Sequence, residues 1–352
     1  MNLSMHAEKR FQLKSGVTPM NKMEQLLQFN IGMSPTRVEI ELTEQCNLFC
    51  KFCYNSQKPV VSSKYMEIIE QLEKQNVLEV ILTGGEPMLH PQFKEILNVC
   101  CSKFTKTMIQ TNGTLIDEDM ANFIKDKDVF GVNVSLHGSK SVHEDLTCIN
   151  GSYELALNAI KNLMERNVRV ASNFVLTSSN IHELDDTIEL LYSIGLRELT
   201  LTRFTPTGIG GNNAYLSISI EQLLNSLNCV KEKMNQYKDL KIILANSVPY
   251  CGLTSELDFF CEYCHFGISR FYIDVNGEVL MCGMSRLAIG NILENDFEYM
   301  KKTSEIYKNH VLGEDVPDKC KNCTYFSKCR GGCRAAALAC SGEICGADPY
   351  SK

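Results

Sequence analysis

The sequence predicts a mixed α/β protein: an open, partial (β/α)6 TIM-like barrel followed by a small Cys-rich domain with a β-hairpin. Short runs of β-branched residues begin roughly 24 to 43 residues apart, and amphipathic helical stretches separate them. This alternation is typical of βα units and a parallel sheet. Six complete units are two short of a closed eightfold barrel, so an open barrel is expected. The seven predicted strands are Arg37–Thr43, Glu79–Thr83, Lys106–Gln110, Phe130–Leu136, Arg169–Leu176, Glu198–Arg203 and Lys241–Asn246.

The pattern of the sequence changes after residue 247. Gly, Asp and Asn punctuate short segments there, and ten of the 17 cysteines fall between Cys251 and Cys345. We expect a domain of this composition to be held by metal rather than by a large core. The sequence therefore predicts an N-terminal extension over residues 1–36, the barrel over 37–247 and the Cys-rich domain over 248–352.

Composition and charge argue against several classes of protein. The 352 residues include 35 basic and 42 acidic side chains, which give a formal net charge of −7. A protein that binds phosphates of nucleic acid or an anionic membrane surface needs a basic face. No apolar run reaches the roughly 18 residues of a transmembrane helix, and the first residues lack the apolar centre of a secretory signal. We therefore expect a cytoplasmic protein with neither a nucleic-acid nor a membrane partner.

Cysteine is frequent for an intracellular protein, with 17 residues in the chain. In a reducing compartment, clustered cysteines indicate metal binding or catalysis rather than disulfides. The alternative is a set of scattered core residues, because free cysteine buries well. The spacing of the cysteines decides between these interpretations.

Three cysteines, Cys46, Cys50 and Cys53, follow the first predicted strand within one short loop. Three thiolates at this spacing can bind three irons of a 4Fe–4S cube, and no fourth cysteine follows at short range. One iron would then stay open for an exogenous ligand. A structural zinc site would instead need a fourth protein ligand to close it, and the nearest histidine is His90.

The spacing Cys-x3-Cys-x-aromatic-Cys, with Phe52 as the aromatic residue, resembles the signature of the radical S-adenosylmethionine (SAM) enzymes. Three more motifs follow in this family's order, each at the end of a predicted strand: Thr83-Gly84-Gly85-Glu86-Pro87, Thr111-Asn112-Gly113 and Ser135-Leu136-His137-Gly138. The resemblance covers about residues 37–245. It implies reductive cleavage of SAM at the open iron, which yields a 5′-deoxyadenosyl radical that abstracts hydrogen from a substrate.

The resemblance also assigns residues to the SAM site. Gly84 and Gly85 let the backbone approach a ligand closely, and the Glu86 carboxylate would accept from the ammonium group of SAM. The family has polar residues for the ribose and carboxylate at the next strand ends, and it often has an arginine after the fourth strand that this chain lacks. The residues expected to contact SAM in these roles are Asn112, Ser135, Asn173 and Arg203.

A second set of cysteine spacings resembles the SPASM extension, which holds auxiliary 4Fe–4S clusters in radical SAM enzymes that modify peptides and proteins. The pattern is Cys264-x12-Gly277-x4-Cys282 followed by Cys320-x2-Cys323-x5-Cys329-x3-Cys333. Within it, residues 274–278 are predicted to form a turn between strands Arg270–Ile273 and Val279–Met281. We expect this hairpin to bring Cys264 and Cys282 together.

The SPASM resemblance implies two auxiliary clusters. For each cluster, two cysteines are alternatives for the fourth ligand. The ligands implied for the first cluster are Cys264, Cys282, Cys333 and either Cys261 or Cys251. The ligands implied for the second cluster are Cys320, Cys323, Cys329 and a late cysteine, either Cys345 or Cys340. Ser351 stands where the family usually has the late cysteine. Cys345 is preferred, because it precedes Gly346 in a turn, whereas Cys340 ends a predicted helix.

Three substrates are compatible with these motifs. The first is a ribosomally synthesised peptide matured by a crosslink, a thioether or an epimerisation. The second is a tetrapyrrole, as in the enzymes of haem d1 and sirohaem decarboxylation, and the third is a sulfatase that needs maturation. A non-enzymatic electron carrier would not need the Gly-Gly-Glu turn or the open first cluster. The implied partners are an electron donor such as flavodoxin or ferredoxin and a separate leader-binding protein.

Two cysteines outside the cluster spacings, Cys148 and Cys229, are candidates to donate a hydrogen atom to a substrate radical. No other catalytic residue is assigned from the sequence.

We predict that Cys50→Ala abolishes formation of 5′-deoxyadenosine. A cube held by three cysteines cannot lose one of them and keep its open iron in place. The measurement is SAM cleavage by the reconstituted protein under anoxia, with the C-terminal clusters checked by spectroscopy. Normal SAM cleavage in this variant would refute the assignment of the first cluster.

Overall fold

One sheet of ten strands organises the part of the chain that the structure describes, residues 28–312 and 317–352 of the computed structural model. The predicted extension over residues 1–36 lies largely outside the described residues. All seven strands predicted for the barrel are present, with ends within two residues of those expected. The strands are β1 Arg37–Glu41, β2 Glu79–Thr83, β3 Lys106–Thr111, β4 Gly131–Ser135, β5 Val170–Leu176, β6 Glu198–Arg203, β7 Lys241–Leu244, β8 Arg270–Ile273, β9 Glu278–Leu280 and β10 Ala288–Asn291.

The order of the strands confirms the open barrel. Along the sheet they follow as β10-β9-β8-β1-β2-β3-β4-β5-β6-β7, so β7 and β10 are edges that do not pair with each other. Every pair from β8 through β1 to β7 is parallel, whereas β8–β9 and β9–β10 are antiparallel. Parallel strands place all their carboxyl ends at one edge, where the sites of such barrels lie.

Helices cover the outer face of the sheet. On β1, Val38 and Ile40 are buried in a core that includes Ile68 and Ile69 of the first helix, while Glu39 faces the inside of the barrel. No helix within residues 28–312 and 317–352 is long and apolar enough to cross a membrane. The helices are α1 Tyr65–Lys74, α2 Phe93–Lys103, α3 Glu118–Asp126, α4 Lys140–Thr147, α5 Ser152–Glu165, α6 Leu184–Ser193, α7 Ile220–Gln236, α8 Phe297–Thr303, α9 Glu305–Leu312, α10 Asp318–Lys321, α11 Phe326–Cys329 and α12 Arg334–Ser341.

The predicted hairpin β8–β9 joins the barrel sheet, which the sequence did not indicate. Strand β8 pairs in parallel with β1, with Arg37 opposite Arg270 and Ile40 opposite Ile273. The Asp274 carboxylate accepts from the backbone N–H of Glu278 at 2.9 Å and fixes the turn. Apolar side chains of this region belong to the same core as the barrel. The hairpin therefore packs into a large core that it shares with the barrel, whereas the sequence predicted a domain held by metal rather than by a large core. The boundary at residue 247 stays a prediction.

A buried ion pair ties the last residues of the chain to the barrel. Arg203, at the end of β6, donates through Nη1 to Asp348 Oδ1 at 3.0 Å and through Nη2 to Oδ2, and both side chains are at most 1% exposed. Asp348 also accepts from the backbone N–H groups of Cys333 at 2.8 Å and Tyr350 at 2.9 Å. A buried charge is tolerated only when it is paired and hydrogen-bonded in this way.

We predict that Asp348→Asn lowers the free energy of unfolding by about 3 to 5 kcal/mol, because the Arg203 charge stays buried without its counter-ion. The measurement is urea unfolding of the anoxically purified protein. The matched control is Asp239→Asn, which breaks the exposed ion pair with Arg197 and should change stability by less than about 1 kcal/mol. Equal effects of the two substitutions would contradict this prediction.

Candidate active site

A cavity of about 320 Å³ lies at the carboxyl ends of the barrel strands. One part of its wall holds the predicted first-cluster cysteines, and another part holds three cysteines assigned to the first auxiliary cluster. The six cysteines that line the cavity are Cys46, Cys50, Cys53, Cys264, Cys282 and Cys333. The hairpin therefore brings Cys264 and Cys282 together, as predicted, on the wall of the cavity that the first three cysteines also line.

Hydrogen bonds shape the first cysteine loop around its sulfur atoms. The backbone N–H of Leu48 donates to Cys46 Sγ at 3.4 Å, and that of Asn55 donates to Cys53 Sγ at 3.4 Å. Burial raises the pKa of the Cys53 thiol to about 11. A cationic iron centre offsets that cost of the thiolate, and the N–H donors favour it further. The donor set thus fits three irons of a 4Fe–4S cube.

The end of α4 supports the same loop from the far side. The backbone N–H groups of Phe49 and Lys51 donate to the carbonyl oxygens of Thr147 at 3.0 Å and Leu146 at 2.9 Å. The loop is therefore held on one side by the barrel and on the other by α4.

The two glycines after β2 allow a close backbone contact with the cysteine loop. Gly85 donates to the carbonyl oxygen of Thr43 at 2.7 Å, and Glu86 donates to that of Gln45 at 2.7 Å. A Cβ atom on Gly84 or Gly85 would collide with the carbonyl oxygens of residues 43 to 45. Both glycines line the cavity. Because these glycines lack a side chain, the end of β2 packs closely against the segment that follows β1. The backbone of both glycines also forms part of the cavity wall.

The Glu86 carboxylate joins the turn after β2 to the turn after β3. It accepts from the Thr111 hydroxyl at 2.9 Å, from the backbone N–H of Asn112 at 2.8 Å and from that of Met88 at 3.2 Å. Burial raises the pKa of Glu86 to about 7. Its contacts within the described chain are those of a positioning residue, and its contact with the SAM ammonium group stays a prediction.

Asn112 lies beside the first cysteine loop. Its Nδ2 donates to Cys46 Sγ at 3.7 Å and to Asn47 Oδ1 at 2.9 Å. The hydrogen-bond chain from Glu86 through Asn112 therefore ends on a predicted iron ligand. Contacts of this kind orient a ligand and tune the metal.

The other residues expected to contact SAM have different surroundings. Phe52 lines the cavity and packs edge-on against the His137 ring, with centroids 4.6 Å apart. Ser135 and Asn173 line the cavity, and Asn173 Oδ1 accepts from the Thr202 hydroxyl at 2.7 Å. Arg203 also reaches the cavity wall, but its guanidinium is paired with Asp348. Their roles toward SAM stay predictions.

Two histidines of this wall, His137 and His143, had no binding role predicted from the sequence. Backbone N–H groups donate to Nδ1 of His137 at 3.2 Å and to Nδ1 of His143 at 3.1 Å. Burial lowers the pKa of His143 to about 4 and that of His137 well below its usual range. Both rings are therefore neutral, with the proton on Nε2. His137 follows β4 and His143 lies within α4, so no single periodic pattern in the sequence links the two residues.

Glu39 is a further residue of the cavity wall that the sequence analysis missed. Burial raises its pKa to about 7, against the opposing effect of the Arg270 and Arg37 charges. Side chains alternate between the two faces of a strand, and Val38 and Ile40 on β1 face outward. The position of Glu39 between them therefore indicates that it faces the inside of the barrel.

The cysteines assigned to the auxiliary clusters have the following neighbours. The thiols of Cys261 and Cys329 are hydrogen-bonded to each other, which places Cys261 beside the second set rather than the first. Cys345 is exposed, and its Sγ lies 3.7 Å from a carboxylate oxygen of Glu343. Among the described residues, no three His, Cys, Asp or Glu side chains converge as ligands of a single metal ion. The ligand sets of both auxiliary clusters stay predictions.

Neither candidate hydrogen-atom donor lies on the cavity wall. Cys148 ends α4 in a left-handed conformation with its Sγ 3.6 Å from the carbonyl oxygen of Asp145. Cys229 Sγ lies 3.4 Å from Asp185 on the outer helices. Cys148 nevertheless interacts electrostatically with Cys50 of the first cysteine loop, and the role of both cysteines stays a prediction.

An open parallel barrel that carries three cysteines without a fourth nearby ligand is typical of one class of enzyme. Enzymes of this class use an iron–sulfur cluster in which one iron binds an exogenous ligand. Comparison with family models places residues 40–191 in the radical SAM superfamily and residues 264–324 in the SPASM iron–sulfur cluster-binding domain. The chain is therefore a radical SAM enzyme with a SPASM domain. The first domain binds SAM and a 4Fe–4S cluster, which together supply a 5′-deoxyadenosyl radical, and the second binds further iron–sulfur.

Individual proteins resemble the chain over most of its length. Mycofactocin maturase MftC of Mycolicibacterium smegmatis is 26% identical over 345 residues, which cover 92% of this chain and 84% of MftC. The AdoMet-dependent heme synthase of Oleidesulfovibrio alaskensis is 24% identical, over 88% of this chain and 85% of that enzyme. The solved structure of Streptococcus suis SuiB bound to precursor peptide SuiA has a TM-score of 0.74 at 18% identity, over 92% of this chain and 77% of SuiB. The structural likeness shows a shared fold.

We predict that Glu86→Gln weakens SAM binding about tenfold or more in protein that keeps its first cluster. An amide in place of the carboxylate leaves one of the three donors without an acceptor, at a cost of about 1 to 3 kcal/mol. The measurement is equilibrium SAM binding together with iron content. Glu198→Gln, on an exposed ion pair with Arg169, is the control and should bind SAM normally. Unchanged SAM affinity in Glu86→Gln would show that this carboxylate is dispensable.

Proposed function

We propose that the enzyme modifies a ribosomally synthesised peptide, by a crosslink, a thioether or an epimerisation. The observation that carries this proposal is the chemistry of the cavity wall between the two thiol sets. Five neutral amide and hydroxyl side chains from the inner face of the barrel lie on this wall, namely Gln110, Asn133, Asn173, Thr200 and Thr202. Such groups match the donors and acceptors of a peptide backbone.

The charged groups of the wall support the same conclusion. Among the described residues that line the cavity, the arginines are Arg203 and Arg334, and both are engaged within the chain. Arg203 pairs with Asp348, and Arg334 donates to the carbonyl oxygens of Ile344 at 3.1 Å and Gly346 at 2.9 Å. Burial also lowers the pKa of a third lining histidine, His310, to about 4, so that it adds no charge.

A tetrapyrrole is the second candidate, and the similarity to the heme synthase favours it. Its several carboxylates require cationic partners, because burying an unpaired charge is costly. The arginines of this wall already have partners, which makes a peptide the better fit. The maturase MftC and the peptide-bound SuiB structure are consistent with that choice.

The proposal includes partners and two auxiliary clusters. An electron donor such as flavodoxin or ferredoxin would reduce the first cluster, and a separate leader-binding protein would deliver the peptide. The reaction would take place in the cytoplasm, where thiols stay reduced.

We predict that the loaded enzyme, given SAM and dithionite under anoxia, converts a peptide encoded beside its gene. Mass spectrometry should show loss of two hydrogen atoms for a crosslink or thioether, or uptake of deuterium from heavy water for an epimerisation. Cys50→Ala is the matched control and should give no product. Turnover of a tetrapyrrole with loss of carbon dioxide, and none of the peptides, would overturn the peptide proposal.

A further inference from the structure

The segment before β8 packs against the loop that holds the second auxiliary set. The Tyr250 and Tyr325 rings stack with centroids 3.9 Å apart, and Tyr325 lies two residues after Cys323. The backbone N–H of Tyr250 is hydrogen-bonded to the Cys329 thiol. Tyr250 is therefore fixed beside the Cys320–Cys329 loop by a ring contact and a backbone contact.

Cys261 reaches the same loop from the other end of this segment. Its Sγ lies 3.6 Å from the carbonyl oxygen of Val248 and 4.0 Å from that of Lys328, the residue before Cys329. The thiols of Cys261 and Cys329 are hydrogen-bonded. Cys329 in turn interacts electrostatically with Cys320. Cys261 is thus in direct contact with one member of the second set.

The two late cysteines have other neighbours. The Cys345 thiol contacts Glu343 in its own turn. The Cys340 thiol, near the end of α12, has electrostatic contacts with Asp348, Arg203 and Cys333, and so faces the ion pair that anchors the C-terminal residues. Within the described chain, neither thiol shows a contact with Cys320, Cys323 or Cys329.

We infer that Cys261 is the fourth thiolate of the second auxiliary cluster, together with Cys320, Cys323 and Cys329. The ligand comes from upstream of β8 rather than from the last residues of the chain, where Ser351 stands at the expected cysteine position. Cys251 is exposed and reaches the set only through its electrostatic contact with Cys320, so it is the less suitable of the two upstream thiols. This inference rests on the proposed pair of auxiliary clusters, and it leaves Cys264, Cys282 and Cys333 for the first.

Iron counts in two mutant backgrounds test the assignment on the full-length, anoxically reconstituted protein. One background, Cys320→Ala with Cys323→Ala, removes the second cluster, and the other, Cys264→Ala with Cys282→Ala, removes the first auxiliary cluster. Each should lose about four irons relative to the parent, one cube. Cys261→Ala should remove further iron only in the Cys264/Cys282 background. In the Cys320/Cys323 background the second auxiliary cluster, which Cys261 would bind, is already absent.

The opposite pattern, with further loss only in the Cys320/Cys323 background, would assign Cys261 to the first auxiliary cluster and overturn the inference. No further loss in either background would also overturn it. Cys340→Ala and Cys345→Ala are the matched controls and should leave the iron count unchanged. Retention of iron in the Cys320/Cys323 background itself would instead contradict the proposed second cluster.

A second readout guards against a variant that folds poorly. Cys261→Ser keeps the side-chain volume, and its loaded form should show the electron paramagnetic resonance signal of a 3Fe–4S cluster or an altered Mössbauer doublet. The spectrum of the Cys264, Cys282 and Cys333 cluster should be unchanged. A parent-like spectrum for both auxiliary clusters in Cys261→Ser would argue that another group closes the second one.

Discussion

The parallel pairing of β1 with β8 is the contact on which the rest of the site depends. Strand β1 runs directly into the loop of Cys46, Cys50 and Cys53, and β8 leads through its hairpin to Cys282. Because β9 runs antiparallel to β8, the hairpin carries Cys282 back toward the start of β8, and the pairing of β8 with β1 keeps this segment beside the barrel whose cavity the first cysteine loop also lines. A different partner for β8 would separate the two thiol sets that share one cavity.

Local patterns were sufficient to predict much of the fold and part of the site. The strands follow from β-branched runs, and the cysteine spacings mark loops whose geometry depends on a few consecutive residues. The pairing of β1 with β8 was not predictable, because it joins segments as far apart in sequence as Thr36 and Ser269, which are 233 residues apart. The same reason hid the contact of Arg203 with Asp348 and that of Cys261 with Cys329.

The inner face of the barrel combines polar side chains with little net charge. The histidines of the cavity wall are neutral because burial opposes protonation, and the arginines of this wall have partners within the chain. Recognition in such a cavity depends on directional hydrogen bonds and shape, since few charges are free to attract a ligand over a distance. The Glu86 carboxylate and the glycine contacts hold the surrounding strand ends together. The donors and acceptors on these strand ends therefore keep a fixed orientation.

The ion pair of Arg203 with Asp348 has a consequence for how the sequence can diverge. An unpaired arginine at residue 203 or an unpaired aspartate at residue 348 leaves a charge in a dry environment, so each single substitution is unfavourable while a joint replacement by apolar residues is tolerated. The two positions, 145 residues apart in sequence, are therefore expected to change together among homologues. A lineage that has lost the pair would have to anchor the segment after Cys333 by other means.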